Sequence, residues 1–513
     1  MHLALLLLLA AIVSFHVPLT QALSDPFQEA EYASFGFLDR AGLSGPAPVL
    51  IHGGLDVLPS RLAASACPAD AQIVCVRALN TLLQFVASCL FVGVLAILAG
   101  LGSRAALLAT LPAAVMLWLF DGPTVQIVDA HQSSPGVRDL VVIAALLVMA
   151  SICRGVDGGE TRPNRSTLSV SGFLLGVLVG VGLFWAYNRG LVLILVNGAF
   201  TAGLCLIARS IRPAILVAAG AVVGLGGVLL VGGGPLMTET VFNILYWSRN
   251  DAIWRASFGA ILIAPMFALG LVLFADAGPL AWDSLRKRYS GTALMIVCLL
   301  LTFGLYAVQS LNRPDLVHLR WAIWPAVLLL AIVIRGLAGG DATAPIASAM
   351  ARIAALLLLS GAAIEFYSDS SIMRIVLQGL VENARAATQA LPRDRDLAAR
   401  DLVEVARLVS ANGRCTFAAN NAGMVHLLAR VPPCSRFVFG TYVAADRQAE
   451  VIGDLQDGKP GIILWDSGSW WSNIDGRDLR NRTPVLADWI EANYPVRTVV
   501  GQYVLLSQAP LNR

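Results

Sequence analysis

The stretch Asp25-Pro-Phe-Gln-Glu29-Ala-Glu31-Tyr places three carboxylates within seven residues, directly after the first apolar segment of the chain. Carboxylates at the point where a chain leaves a bilayer can hold a cation, take a proton, or cap a helix. Asp25 with Pro26 and Gln28 reads as a helix start. Asp is the N-cap, Pro the first helical residue, and Gln the partner in a capping box. That accounts for Asp25 and Gln28 but not for Glu29 and Glu31. As a general base, a carboxylate removes the proton of a hydroxyl. As metal ligands, Glu29 and Glu31 together with His52 suit a divalent ion. The spacing does not require one, and the sequence has no Cys/His metal motif.

Further polar residues gather between the apolar runs. They are His52 and Asp56; Asp129 and His131; Asn188 and Arg189; Arg249, Asp251 and Arg255; and the loop Asn312-Arg313-Pro314-Asp315-Leu-Val-His318-Leu-Arg320. Ionisable groups at membrane depth are costly and usually line a polar cavity. Arginine forks bind phosphate bidentately, and a helix starting after Pro314 would add its N-terminus to an anion site. Each feature also has a plainer reading. His52-Gly-Gly is a turn with glycine's conformational freedom. Arg138-Asp139 begins a helix at the interface. Tyr246 to Arg249, with Trp254-Arg255, fits an interfacial aromatic belt. Trp465, Trp470 and Trp471 with Asp466 and Asp475 suit either contact with sugar or a buried core.

These residues must be held by membrane helices. The 513-residue chain is 57% hydrophobic and 13% charged, with mean hydropathy +0.72, whereas soluble domains carry about 25% charged residues. At about 20 apolar residues per span, windows fall near 3–22, 80–102, 105–120, 139–153, 168–187, 190–208, 213–232, 257–275, 292–309, 321–338 and 346–366. The windows 105–120 and 139–153 are short enough to be partly re-entrant. With the N-terminus inside, the inner loops hold 10 Lys/Arg in 46 residues and the outer loops 9 in 112. That density difference favours this orientation, and an odd span count puts the C-terminus outside. The first segment lacks a basic leader and has a poor cleavage site at Thr20-Gln21-Ala22, so it reads as an uncleaved helix. The net charge of +3 gives no reason to expect nucleic acid.

The first outer loop, 23–79, contains Phe27, Tyr32, Phe35, Phe37 and Leu38 in a stretch suited to lying along the membrane interface. Gly176/Gly180 and Gly220/Gly224 have the small-xxx-small spacing of close helix packing. There is no internal repeat. The expected division is a membrane domain over 1–366 and a C-terminal α/β domain over 367–513. In the latter, strands are expected near 437–439, 461–465 and 503–506, with helices at 397–410, 420–430, 445–456 and 484–493. Cys67/Cys75 and Cys415/Cys434 would fit two disulfides in an oxidising compartment. Cys89, Cys153, Cys205 and Cys298 fall in spans.

The acidic D-x-x-x-E-x-E start at Asp25 to Glu31, His52-Gly-Gly-Leu-Asp56, the late Arg313-Pro-Asp-x-x-His318 loop and the outward α/β domain together resemble the GT-C superfamily. These are membrane glycosyltransferases that use polyprenyl-phosphate sugars, here in their bacterial branch. The resemblance implies a polytopic α-helical membrane protein of about 11 transmembrane helices with a C-terminal α/β extracytoplasmic domain. It implies multi-pass insertion in a bacterial cytoplasmic (inner) membrane. The implied enzyme is a hexosyl- or pentosyltransferase that moves sugar from a polyprenyl-phosphate donor to a hydroxyl of a glycan or lipid acceptor, with inversion. Asp25 would be the base, and Arg313, His318 and Arg320 would bind the donor phosphate. Glu29, Glu31, His52, Asp56, Asp129, His131 and Arg249 would support the site or the acceptor, with a divalent metal possible at Glu29, Glu31 and His52. The family's adjacent acidic pair in a later outer loop has no counterpart here; Asp129 and Asp139 stand apart. Two alternatives compete: an O-antigen ligase or polymerase-like enzyme, and a non-enzymatic transporter or scaffold. Span interiors nearly free of charge argue against coupled ion transport.

Overall fold

The computed structural model describes residues 8, 10–11, 14–15, 18–23, 25–40, 48–100, 136–157, 165–249, 274–275, 278, 281, 290–311, 324–332, 335, 372–474 and 477–511. Among them, five helices are long and apolar enough to cross a membrane: Gln72–Ala99, Val137–Asp157, Tyr187–Ala208, Arg212–Leu230 and Ser290–Gln309. Each matches a hydropathy window. The 139–153 window is the centre of a 21-residue span, long enough to cross without re-entrance. A further helix, Arg165–Trp185, matches the 168–187 window, and 324–332 is helical as expected. The windows 105–120 and 346–366, and most of 3–22 and 257–275, lie outside the described residues.

The chain divides into two compact units. One comprises 1–17, 81–233 and 258–381; the other comprises 18–80, 234–257 and 382–513. The first unit is a helix bundle with one apolar core. Phe91 and Leu95, Ile143, Leu146 and Met149, Leu193 and Phe200, and Leu299 and Trp324 all belong to it. Glycine sets its closest approach. A Cβ on Gly176 would lie 2.0 Å from the Val217 carbonyl oxygen, and one on Gly220 would lie 2.0 Å from that of Phe173. The two glycine pairs therefore meet across the helices Arg165–Trp185 and Arg212–Arg249, with backbone against backbone as their spacing implies.

The helix Arg212–Arg249 corrects the sequence reading. It is 38 residues long and runs through 233–249, where an outer loop was expected. Gly232-Gly-Gly-Pro235 reads as a stop signal. Yet glycine only weakens a helix, and one proline removes a single amide donor.

The second unit carries a mixed four-stranded sheet in the order β1-β2-β4-β3, where β1 is Thr416–Ala418, β2 Ile462–Asp466, β3 Val496–Val500 and β4 Tyr503–Ser507. β1 and β2 are parallel; β4 runs antiparallel to β2 and β3. The expected strand at 437–439 makes only the bridge Ala418↔Phe439, while β1 and β3 were not anticipated. The four expected helices appear as Arg400–Asn412, Met424–Ala429, Gln448–Gly458 and Pro484–Asn493. Both anticipated disulfides form, Cys67–Cys75 and Cys415–Cys434. Cys89, Cys153, Cys205 and Cys298 remain thiols.

The stretch expected along the membrane interface is instead a packed helix, Gln28–Arg40. Phe27, Phe35, Phe37 and Leu38 are all buried. This helix packs on Leu58–Ala66 at Gly36, whose amide donates to Ser60 Oγ at 2.6 Å and whose absent side chain leaves room for the Ser60 carbonyl.

Enlarging Gly176 to valine is expected to lower stability by about 1–3 kcal/mol through overpacking. Gly198→Ala, in a helix where an added Cβ meets nothing within 4 Å, should leave it unchanged or raised. Thermal unfolding in detergent, monitored by intrinsic fluorescence, compares the two.

Candidate active site

Asp25 heads the helix Gln28–Arg40 and is almost fully buried, 4% exposed. Its Oδ1 accepts from the amides of Phe27 and Gln28, both at 3.0 Å. This is the N-cap expected from Asp-Pro-x-Gln. Among the described residues, Oδ2 has no hydrogen-bond partner. Burial pushes the carboxyl up to about 6; the two amides pull it down, and the Glu29 charge adds to the rise. Burial, then the nearby Asp401 and Asp25 carboxylates, raises the Tyr503 phenol.

Asp25 is held between two anchor points of one arginine. Arg77 Nη1 donates to the carbonyls of Leu19 at 3.0 Å and Gln21 at 2.6 Å, upstream of Asp25. Its Nε and Nη2 grip both Glu29 oxygens at 3.0 and 2.7 Å, one turn downstream. Both side chains of this fork are buried. Burial raises the Glu29 carboxyl even against the pull of Arg77. Arg77 was missed in the sequence, although a lone charge in the apolar helix Gln72–Ala99 is the kind of residue that demands a partner.

Glu31 accepts a hydrogen bond from the Tyr442 hydroxyl. Tyr442 is tied in turn to Tyr246, whose hydroxyl donates to the Tyr442 carbonyl and accepts from the Ala444 amide at 2.9 Å. Tyr246, expected in an aromatic belt, is thus buried within the second unit. Asn243, one turn earlier, accepts the Leu50 amide at 3.0 Å, and Val49 donates to the Arg436 carbonyl at 2.9 Å. His52 and Asp56 close a turn on each other. His52 Nδ1 meets Asp56 Oδ1 at 2.7 Å, and Asp56 Oδ2 accepts the amides of Ile51 and His52. Gly53, at φ 96°, permits the turn.

Glu29, Glu31 and His52 thus each have a protein partner. Among the described residues, no group of three His, Cys, Asp or Glu converges as a metal would need. Asp129, His131, Arg313, His318 and Arg320 lie outside the described residues, as does the Arg249 side chain.

Asp139, the other acidic candidate, belongs to the first unit. Preceding the helix Leu140–Asp157, it forms an ion pair with Arg189, Nε to Oδ1 2.8 Å, and accepts the Tyr306 hydroxyl at 2.7 Å. The Arg189 guanidinium also lies 4.2 Å over the Tyr306 ring. Asp139 is a closed structural acid, unlike Asp25.

No family model matches the sequence, and no curated protein matches it. Solved structures align along nearly all of it. ArnT from Cupriavidus metallidurans bound to undecaprenyl phosphate aligns over 99% of this chain and 98% of its own, at 13% identity and a TM-score of 0.47. The Archaeoglobus fulgidus oligosaccharyltransferase, in complex with zinc and sulfate, aligns over 96% of this chain and 71% of its own, at 11% identity and a TM-score of 0.47. The archaeal oligosaccharyltransferase AglB from Archaeoglobus fulgidus, with an inhibitory peptide and a dolichol-phosphate, aligns over 99% and 74%, at 11% identity and 0.46.

Truncating Arg77 to methionine leaves Glu29 buried without its counter-charge, at a cost of about 3–5 kcal/mol. Combining it with Glu29→Gln should recover a measurable part of that loss, because the stranded charge is gone. A double-mutant cycle on thermal unfolding measures the coupling.

Proposed function

We propose that the chain is an integral membrane glycosyltransferase. It moves a hexosyl or pentosyl group from a polyprenyl-phosphate donor to a hydroxyl of a glycan or lipid acceptor at the outer face of a bacterial cytoplasmic membrane. The observation that carries this reading is the divided carboxylate of Asp25. One oxygen is fixed by two amides, and the other is uncommitted. A base needs that combination of fixed orientation and a free lone pair.

Asp25 Oδ2 takes the acceptor proton as the acceptor oxygen attacks the anomeric carbon from the face opposite the phosphate. The C–O bond to phosphate breaks, polyprenyl phosphate leaves with the bonding pair, and the anomeric configuration inverts. Arg313, His318 and Arg320 are proposed to stabilise the leaving phosphate. Such a desolvated contact lowers the barrier by about 3–4 kcal/mol. In this reading the C-terminal domain over 367–513 is extracytoplasmic. The disulfides Cys67–Cys75, in the first outer loop, and Cys415–Cys434, in this domain, support an oxidising compartment for both segments.

The pH dependence follows from the raised carboxyl. Asp25 acts only when ionised, so kcat/KM should be full above pH 7 and fall tenfold per unit below about 6. Asp25→Asn keeps an oxygen for the two amides and discards the buried charge. It should lose transfer by about a thousandfold or more while unfolding no earlier than wild type at pH 7.5. Polyprenyl phosphate released from polyprenyl-phosphate sugars by protein in nanodiscs is the readout. Undiminished turnover in Asp25→Asn would sink the assignment.

A further inference from the structure

All six residues of the helix Met424–Ala429 are buried, and it packs on both Gln28–Arg40 and Arg400–Asn412. Its first amide, that of Met424, donates to the Pro26 carbonyl at 3.0 Å, one residue past Asp25. At its centre stands His426, with no exposed surface.

The imidazole closes the end of this helix. Its Nδ1 meets the Val431 carbonyl at 3.1 Å, and the Val431 amide donates to the His426 carbonyl at 3.2 Å. A carbonyl only accepts, so Nδ1 carries the proton and Nε2 is the bare nitrogen. Among the described residues, the buried Nε2 has no hydrogen-bond partner. The neutral ring tolerates that arrangement and the imidazolium does not. A second proton would sit at Nε2 with no acceptor, and its charge would be buried with no counter-charge.

Charged groups on the surrounding elements are engaged elsewhere. On Arg400–Asn412, Glu404 and Arg407 pair with each other, Asp401 accepts the Leu402 amide, and Arg400 is exposed. On Gln28–Arg40, Glu29 is held by Arg77, and Glu31 accepts from Tyr442. Arg395 donates to the Leu428 carbonyl at 3.4 Å, and Arg430, just past the helix, is exposed. Burial pulls the His426 pKa down to about 4, opposed by the Val431 carbonyl.

We infer that His426 is an acid-sensitive latch, which while neutral holds the helix Met424–Ala429 against the Asp25 segment and on protonation releases it. An imidazole whose folded value lies below its ordinary 6.5 stabilises the closed segment fully above 6.5. It loses that contribution as pH falls toward 4. Burial acts in the opposite sense on carboxyls. Those of Asp25, Glu29 and Asp394 are raised, so acid on them favours the folded state. Between Met424 and Val431 the other ionisable side chain is Arg430, which keeps its charge. The latch does not depend on the transferase reading; in the orientation proposed above it senses the pH of the outer face.

The test is hydrogen exchange of the full chain in nanodiscs, read by mass spectrometry and expressed as protection factors. Between pH 7.5 and pH 5, protection in 424–431 and in 25–31 should fall by about thirtyfold. His426→Asn keeps a donor for the Val431 carbonyl and does not titrate, so its protection should be the same at both pH values. His426→Leu should lose protection at pH 7.5 and show the same flat profile. Equal protection of wild type at the two pH values overturns the inference, whether or not either variant folds. So does an undiminished acid loss in His426→Asn, which would place the sensitive group elsewhere. An acid loss confined to 424–431 also overturns it, by separating the helix from the Asp25 segment. Asp25→Asn retains His426, so its transfer activity has no bearing on these outcomes.

Discussion

The buried fork between Arg77 and Glu29 is the constraint on which the site depends. Ion pairs removed from water return their desolvation cost only when geometry is good and the remaining donors are satisfied. Arg77 meets both conditions. Its guanidinium holds two carboxylate oxygens and two main-chain carbonyls at once. Because those partners lie on either side of Asp25, the segment cannot shift without stranding a charge. Both oxygens of Glu29 are engaged by Arg77, and its negative charge also contributes to the raised proton affinity of Asp25.

The second unit extends the same logic with neutral bonds. Glu31 meets Tyr442, Tyr442 meets Tyr246, and Asn243 meets Leu50. Stretches distant in sequence are thereby joined through buried polar atoms. Such networks stabilise little on average but strongly disfavour alternative arrangements, since each broken bond leaves a buried group unpaired.

Local pattern in the sequence revealed what is locally determined. The cap at Asp25, the glycine pairs at 176/180 and 220/224, the two cysteine pairs and most of the C-terminal helices were readable, because each depends on neighbours within a few residues or on a spacing. The partners of Glu29, Glu31 and Asp139 were not, since each lies 48 or more residues away. β3 was hidden because Arg497 and Thr498 interrupt its apolar run, and none of its residues is fully buried. The helix through Gly232 to Pro235 was hidden because the hydropathy window ends at 232, and a helix can continue past the point where a chain stops being apolar enough to span a bilayer. The late Arg313 loop stays a sequence expectation, as it falls outside the described residues.

The start of the helix that carries Arg77 is fastened by a residue made much later. Asp394 Oδ1 accepts the Ile73 amide at 2.8 Å, and its own amide donates to the Asp70 carbonyl at 2.6 Å. Leu23, two residues before Asp25, likewise donates its amide to the Leu397 carbonyl at 2.6 Å. During synthesis, the Asp25 segment emerges more than three hundred residues ahead of these partners. Contacts this far apart in the chain form late. A nascent chain that has inserted its spans but not yet released residues 394–397 holds every side chain of the Arg77 fork, yet lacks the clasp on both ends of it. The geometry of the Asp25 segment is therefore completed only after residues 394–397 have been made, long after the segment itself.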